Sequence, residues 1–136
     1  MSDRWKQRFG NFENALNELR QALNKDELSL LELAGTIQLF QLSFELGWKL
    51  LKDLLEREGF SGPEVISSPR RIIQTAVKSN ILSDSDGYIW LEALDNRNSL
   101  AHVYDKLLAQ ESEAKIKNQY FPVLEDFFHK IKKEIH

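Results

Sequence analysis

The 136-residue chain contains no cysteine. That excludes a disulfide framework, a cysteine-ligated zinc or iron–sulfur centre, and a thiol nucleophile. Only six glycines and three prolines punctuate it, and no repeat or low-complexity tract is present. No apolar run approaches the roughly 18–20 residues that a membrane helix needs. The N-terminus, with Arg4, Lys6 and Arg8 among its first residues, lacks the uninterrupted apolar stretch of a signal peptide. There is no basic excess either, because net charge is −3. The whole surface is therefore not a nucleic-acid glove, and any contact with RNA or DNA must be local.

What is present argues for a folded core. The chain is 42% hydrophobic and 29% charged, with three Trp, eight Phe and three Tyr, which rules out general disorder. The length suits a single domain spanning residues 1–136. A soluble, cytoplasmic protein without cofactor or metal is expected.

Helical periodicity dominates. Trp5, Phe9, Phe12, Leu16, Leu19 and Leu23 form one face of a helix over about 3–23. A second, longer helix is expected from about Ser29 to Glu58. It carries two stripes: Ile37, Phe40, Phe44, Trp48, Leu51 and Leu55, and beside them Leu39, Leu42, Leu46, Leu50 and Leu54. A face this wide suits a central helix, or one that also packs on a second subunit. Gly59 ends it.

Ser68 and Pro69 open a third helix as N-cap and first residue, and Asn80 ends it. A fourth follows the cluster Ser83-Asp84-Ser85-Asp86-Gly87, with Trp90, Leu91 and Leu94 beginning its buried stripe. A fifth is expected from about Glu111 to the C-terminus, kinked or locally broken at Pro122. No strand-like alternation competes, so the fold class is all-α: an up-and-down bundle of about five helices.

The pattern breaks between Asp95 and Asp105. Extending the fourth helix's stripe places Arg97, Asn98, Ala101 and His102 where apolar residues are due. If the helix persists, Asn98, His102 and Asp105 align, as do Arg97, Ala101 and Tyr104. An Arg fork for phosphate oxygens beside a His able to move protons near neutral pH is a minimal kit for metal-independent RNA cleavage. A plainer reading stands next to it: Arg97 as the ion-pair partner of Asp95 or Glu92, with Asn98 and His102 capping or bridging helices. The residues alone leave both open. Asp84 and Asp86 read as loop and cap, and His129 and His136 are isolated on a Lys-rich terminal helix.

Arg97-Asn98-Ser99-Leu100-Ala101-His102 resembles the R-N-x3-H motif of HEPN domains. Continued to Tyr104, it resembles the R-x4-H-x-Y form of HEPN toxins paired with a minimal nucleotidyltransferase antitoxin. The stretch from Phe40 to Lys49 resembles the long second helix of that group, also labelled nucleotidyltransferase substrate-binding proteins. The resemblance spans nearly the whole chain and implies a homodimer. Arg97, Asn98 and His102 would be catalytic, in a composite ribonuclease cleft. It further implies a cognate nucleotidyltransferase that silences the toxin by attaching AMP to Tyr104. The older label implies a different class, a non-catalytic subunit that presents substrate to a nucleotidyltransferase.

Overall fold

The computed structural model describes residues 3–60, 62–101 and 105–135. Helix α1 spans Asp3–Leu23 and buries Trp5, Phe12, Leu16, Leu19 and Leu23 along the expected face. Phe9 stacks between Trp5 and Phe128, with ring centroids 5.9 and 5.3 Å apart.

Helix α2, Leu30–Arg57, starts at a reciprocal cap. The Glu32 N–H donates to Ser29 Oγ at 3.1 Å, and the Ser29 N–H donates to Glu32 Oε1 at 2.9 Å. Its end is set by Gly59, whose φ of +95° is in the left-handed region that favours glycine. There the Phe60 N–H reaches Leu55 O and the Gly59 N–H reaches Glu56 O, which satisfies carbonyls the helix leaves open.

The first apolar stripe of α2 is buried except at Trp48, which is half-buried. The second divides. Leu50 and Leu54 are buried, Leu39 and Leu46 are half-buried, and Leu42 is 49% exposed. The second stripe is thus covered by this chain only towards its C-terminal end.

A single turn not legible in the sequence, α3 (Pro63–Ile66), lies in the return to α4 (Pro69–Lys78). Ser68 caps α4 by accepting from the Arg71 N–H at 3.2 Å. Asn80, with φ 65°, closes it. Pro69 stands near Trp48 and Asn80 near Leu54, so α4 runs alongside α2 in the same direction. Helix α5 spans Asp84–Ala101, so it begins inside the cluster expected to precede it: Asp84 and Asp86 are in its first turn, and Ser83 Oγ is the cap, accepting from the Asp86 N–H at 3.1 Å. Gly87 lies against α4 so closely that a Cβ there would sit 2.2 Å from Val77 Cγ2.

The last helix begins earlier than about Glu111. Helix α6 is Lys106–Lys115, N-capped by Asp105, whose carboxylate accepts from the Leu108 N–H at 2.9 Å. It continues through a π-helical turn, Ile116–Tyr120, into α7, Phe121–Ile135. The break expected at Pro122 takes this form. Proline offers no N–H and its ring crowds the carbonyl four residues back, and the wider turn just before it absorbs the misfit, with the Phe121 N–H reaching Ile116 O. Counting α6, the π turn and α7 as one rod, five rods and the one-turn α3 make an all-α bundle.

Trp90 sits at the centre with no exposed surface. Its ring lies 5.7 Å from Phe44 and 5.5 Å from Phe127, edge-on to the latter. Gly47 allows this approach, since a Cβ there would be 3.1 Å from the indole. Among the described residues, no helix is long and apolar enough to cross a membrane.

Candidate functional site

The rotation of α5 differs from the sequence expectation. After Trp90, its buried positions are Ala93 and Leu100, with Asn96 and Arg97 half-buried, Leu91 and Leu94 at the edge, and Asn98 exposed. Ala93 is small and carries little weight in an apolar pattern; Leu91 and Leu94 do pack against the core, but on its flanks, so the centre of the buried face is shifted from the one they suggested. Arg97 and Asn98 consequently stand at the lip of a groove and not in the core.

That groove lies between α2, α4 and α5 and encloses about 490 Å³. Phe44, Trp48 and Pro69 supply apolar walls, while Gln41, Glu45, Arg97 and Asn98 supply polar groups. Gln41, Glu45 and Trp48 are spaced i, i+4 and i+7, which puts them on one face of α2. The Gln41 amide donates to the main-chain carbonyl of Arg97 at 2.8 Å and so ties the last turn of α5 to α2. Glu45 gathers three donors. Trp48 Nε1–H donates to Oε2 at 3.1 Å, Lys49 Nζ lies 3.3 Å from Oε1, and Arg97 Nη1 lies 3.9 Å from Oε2. The last contact is at the limit of an ion pair. With 35% of its side chain exposed, Arg97 keeps donors available to a ligand.

The acids proposed from sequence as partners of Arg97 are engaged elsewhere. Asp95 pairs with Arg70 on α4, and Glu92 lies 3.3 Å from Lys115 on α6. The hydrogen bond that Lys115 donates to the Glu92 carboxylate pushes the Lys115 pKa up. Asn96 Nδ2 donates to the buried Tyr120 hydroxyl at 3.1 Å, joining α5 to the π turn. Asp105 has an extended backbone, with φ −143°, and belongs to the start of α6, so the alignment of Asn98 with Asp105 on one helix does not hold. His102 and Tyr104 lie outside the described residues. Among the described residues, no group of three or more His, Asp or Glu side chains is placed to hold a metal ion.

Gln41, Glu45, Trp48 and Asn96 are the groove residues and supports that motif reading passed over. Gln41 and Glu45 lie on the polar side of α2 with Gln38, Lys52 and Glu56, so the sequence pattern does not set them apart.

No curated protein matches the sequence. The structure is similar to that of a protein from Thermus thermophilus, with a TM-score of 0.76 and 28% identity, covering 88% of this chain and 97% of that one. It is also similar to a chain of a mutant toxin–antitoxin MntA–HpeT, with a TM-score of 0.78 over 97% of this chain and 99% of that one. At 13% identity, that second likeness is one of fold. The sequence matches a family model, "Nucleotidyltransferase substrate binding protein like", over residues 7–133. With nearly its whole length matched, the chain belongs to the nucleotidyltransferase substrate-binding protein-like family.

Proposed function

We propose that this protein is a HEPN-type ribonuclease toxin that cleaves RNA without a metal ion, and that a cognate minimal nucleotidyltransferase neutralises it. The observation that carries the reading is Arg97 at the mouth of an open groove, beside Asn98, held through its main-chain carbonyl while its guanidinium makes only the 3.9 Å contact with Glu45. In this mechanism the ribose 2′-OH attacks the adjacent phosphorus. The P–O5′ bond breaks, leaving a 2′,3′-cyclic phosphate and a free 5′-OH, and His102 moves the proton as acid or base. Arg97 stabilises the charge that builds on the phosphate oxygens, and Asn98 orients them.

The active unit is a homodimer in which two motif helices share one cleft. Supporting this, Leu42 is exposed and Leu39 and Leu46 half-buried on α2, an apolar strip this chain leaves uncovered. The nucleotidyltransferase transfers AMP from ATP to the Tyr104 hydroxyl, releasing pyrophosphate. The added phosphate and base then repel RNA from Arg97. The fold shared with a toxin–antitoxin chain supports such a partner.

The family description favours a second reading, a non-catalytic subunit that offers its groove to a nucleotidyltransferase substrate. One comparison separates the two. The wild-type chain expressed alone arrests growth and degrades RNA, and His102→Ala does neither, with cleavage in vitro reduced about 10²–10⁴-fold and insensitive to chelator. Equal activity of the two proteins overturns the ribonuclease reading. Mass spectrometry after co-expression with the partner shows whole AMP units on Tyr104. Neutralisation with Tyr104 unmodified overturns that part.

A further inference from the structure

We infer that the groove between α2, α4 and α5 is a nucleobase subsite that selects guanine. The nucleotide's source, an RNA strand, rests on the ribonuclease reading, but the base preference stands on the groove itself. Its volume of about 490 Å³ falls within the range of roughly 300–1,000 Å³ typical of small-molecule sites. Trp48 and Pro69 offer flat apolar surface of the kind on which bases stack. The Trp48 N–H bond to Glu45 Oε2 fixes both side chains, so the indole and the carboxylate are set relative to one another before a ligand arrives.

The polar inventory decides which base. Glu45 presents a carboxylate, which only accepts. One N–H of the Gln41 amide is engaged by the Arg97 carbonyl, and its oxygen is another acceptor on this side of the groove. On the opposite lip, Arg97 can only donate, while Asn98 offers both a donor and an acceptor. Guanine alone among the four RNA bases places two N–H donors side by side, at N1 and N2, with the O6 acceptor next to them. Adenine and cytosine set an acceptor ring nitrogen beside their amino group, which a carboxylate repels, and uracil flanks its single N–H with two carbonyls. Binding replaces the 3.9 Å contact between Arg97 and Glu45 and shares the carboxylate with Trp48 and Lys49, whose bonds leave further lone pairs on its two oxygens; the freed guanidinium faces O6 or a phosphate.

The test uses the intact protein and GMP, AMP, CMP and UMP as probes, read by tryptophan fluorescence. Trp5 and Trp90 are 4% and 0% exposed, which leaves Trp48 as the accessible reporter. GMP is expected to quench with a Kd at least about tenfold below that of AMP, as a bidentate base contact supplies. Glu45→Gln is expected to bring GMP and AMP within about twofold while far-UV circular dichroism stays unchanged, and Trp48→Phe to remove the quench. Equal affinities for the four nucleotides, no binding, or an unchanged preference in Glu45→Gln overturns the inference. Cleavage mapping keeps the two readings apart. Guanine-selective binding without any RNA cleavage leaves the subsite standing and removes the ribonuclease. Cleavage that needs His102 but ignores base identity does the reverse.

Discussion

The two halves of α5 meet the rest of the protein by different means. From Asp84 to Ala93, contact is steric: Gly87 against Val77, Trp90 among Phe44 and Phe127, and Ala93 buried. From Asp95 to Ala101, contact depends on a few directional polar links. These are Asp95 to Arg70, Asn96 to Tyr120, and Gln41 to the Arg97 carbonyl, with Leu100 as the one buried apolar anchor among the described side chains. Dispersion and hydrophobic burial add over many atoms and tolerate no ligand in their midst. A short list of hydrogen bonds positions a helix end while leaving its side chains free to engage something else. The first half therefore anchors the helix, and the second presents it.

The contrast is broken most directly at Trp90. Trp90→Ala is expected to lower the unfolding free energy by about 3–5 kcal/mol, as for other large buried aromatics. The exposed Asn98→Ala should stay within about 0.5 kcal/mol. Urea denaturation of both variants checks this, and comparable losses would show that the two halves are not distinct.

Next in size is Arg97→Ala. Its expected effect is a loss of RNA cleavage of about 10²–10³-fold, typical of removing one donor to a charged transition state, with the thermal midpoint nearly unchanged. A variant that unfolds easily instead would place Arg97 among the anchors.

Tyr120→Phe sharpens the polar half. It removes the acceptor of the Asn96 amide and is expected to cost about 1 kcal/mol, because Asn96 keeps some access to water. Amide hydrogen exchange should speed up around Asn96 to Leu100 more than around Trp90. Uniform acceleration along α5 counts against independent attachment of its two ends.

The smallest expected effects are electrostatic. Asp86, in the first turn of the anchored half, has its pKa raised, chiefly by burial and then by the negative charge of Asp126. A carboxylate with a raised native pKa makes its ionisation unfavourable to folding. The contribution of Asp86 is therefore best at acid pH and declines as pH climbs through its native value. Glu32, at the start of α2, is the opposite case. Hydrogen bonds from Lys25 and then from the Ser29 backbone and side chain lower its pKa from 4.5 to about 2. What it contributes is complete above about pH 4.5 and is lost as pH falls through about 2. Carboxyl titrations followed by NMR should show Asp86 shifted up and Glu32 shifted down. A shift of the same sign at both sites contradicts the assignment.

Local chemistry was enough to place most of the helices. The Ser68–Pro69 start, the stops at Gly59 and Asn80, and the apolar spacing along α1 and α2 each act within a few residues. Those signals are written into any stretch of sequence that contains them. The motif residues Arg97 and Asn98 were likewise visible, because polar side chains stood out against an apolar period. The groove was not. It depends on the rotation of α5, set by how Trp90 and Ala93 fit between neighbours, and on Gln41 reaching the Arg97 carbonyl across 56 residues of chain. The uncovered strip at Leu42 is decided in the same way. A helix's period says which residues share a face, but which part of that face finds a partner is settled only when distant segments compete for the same surface.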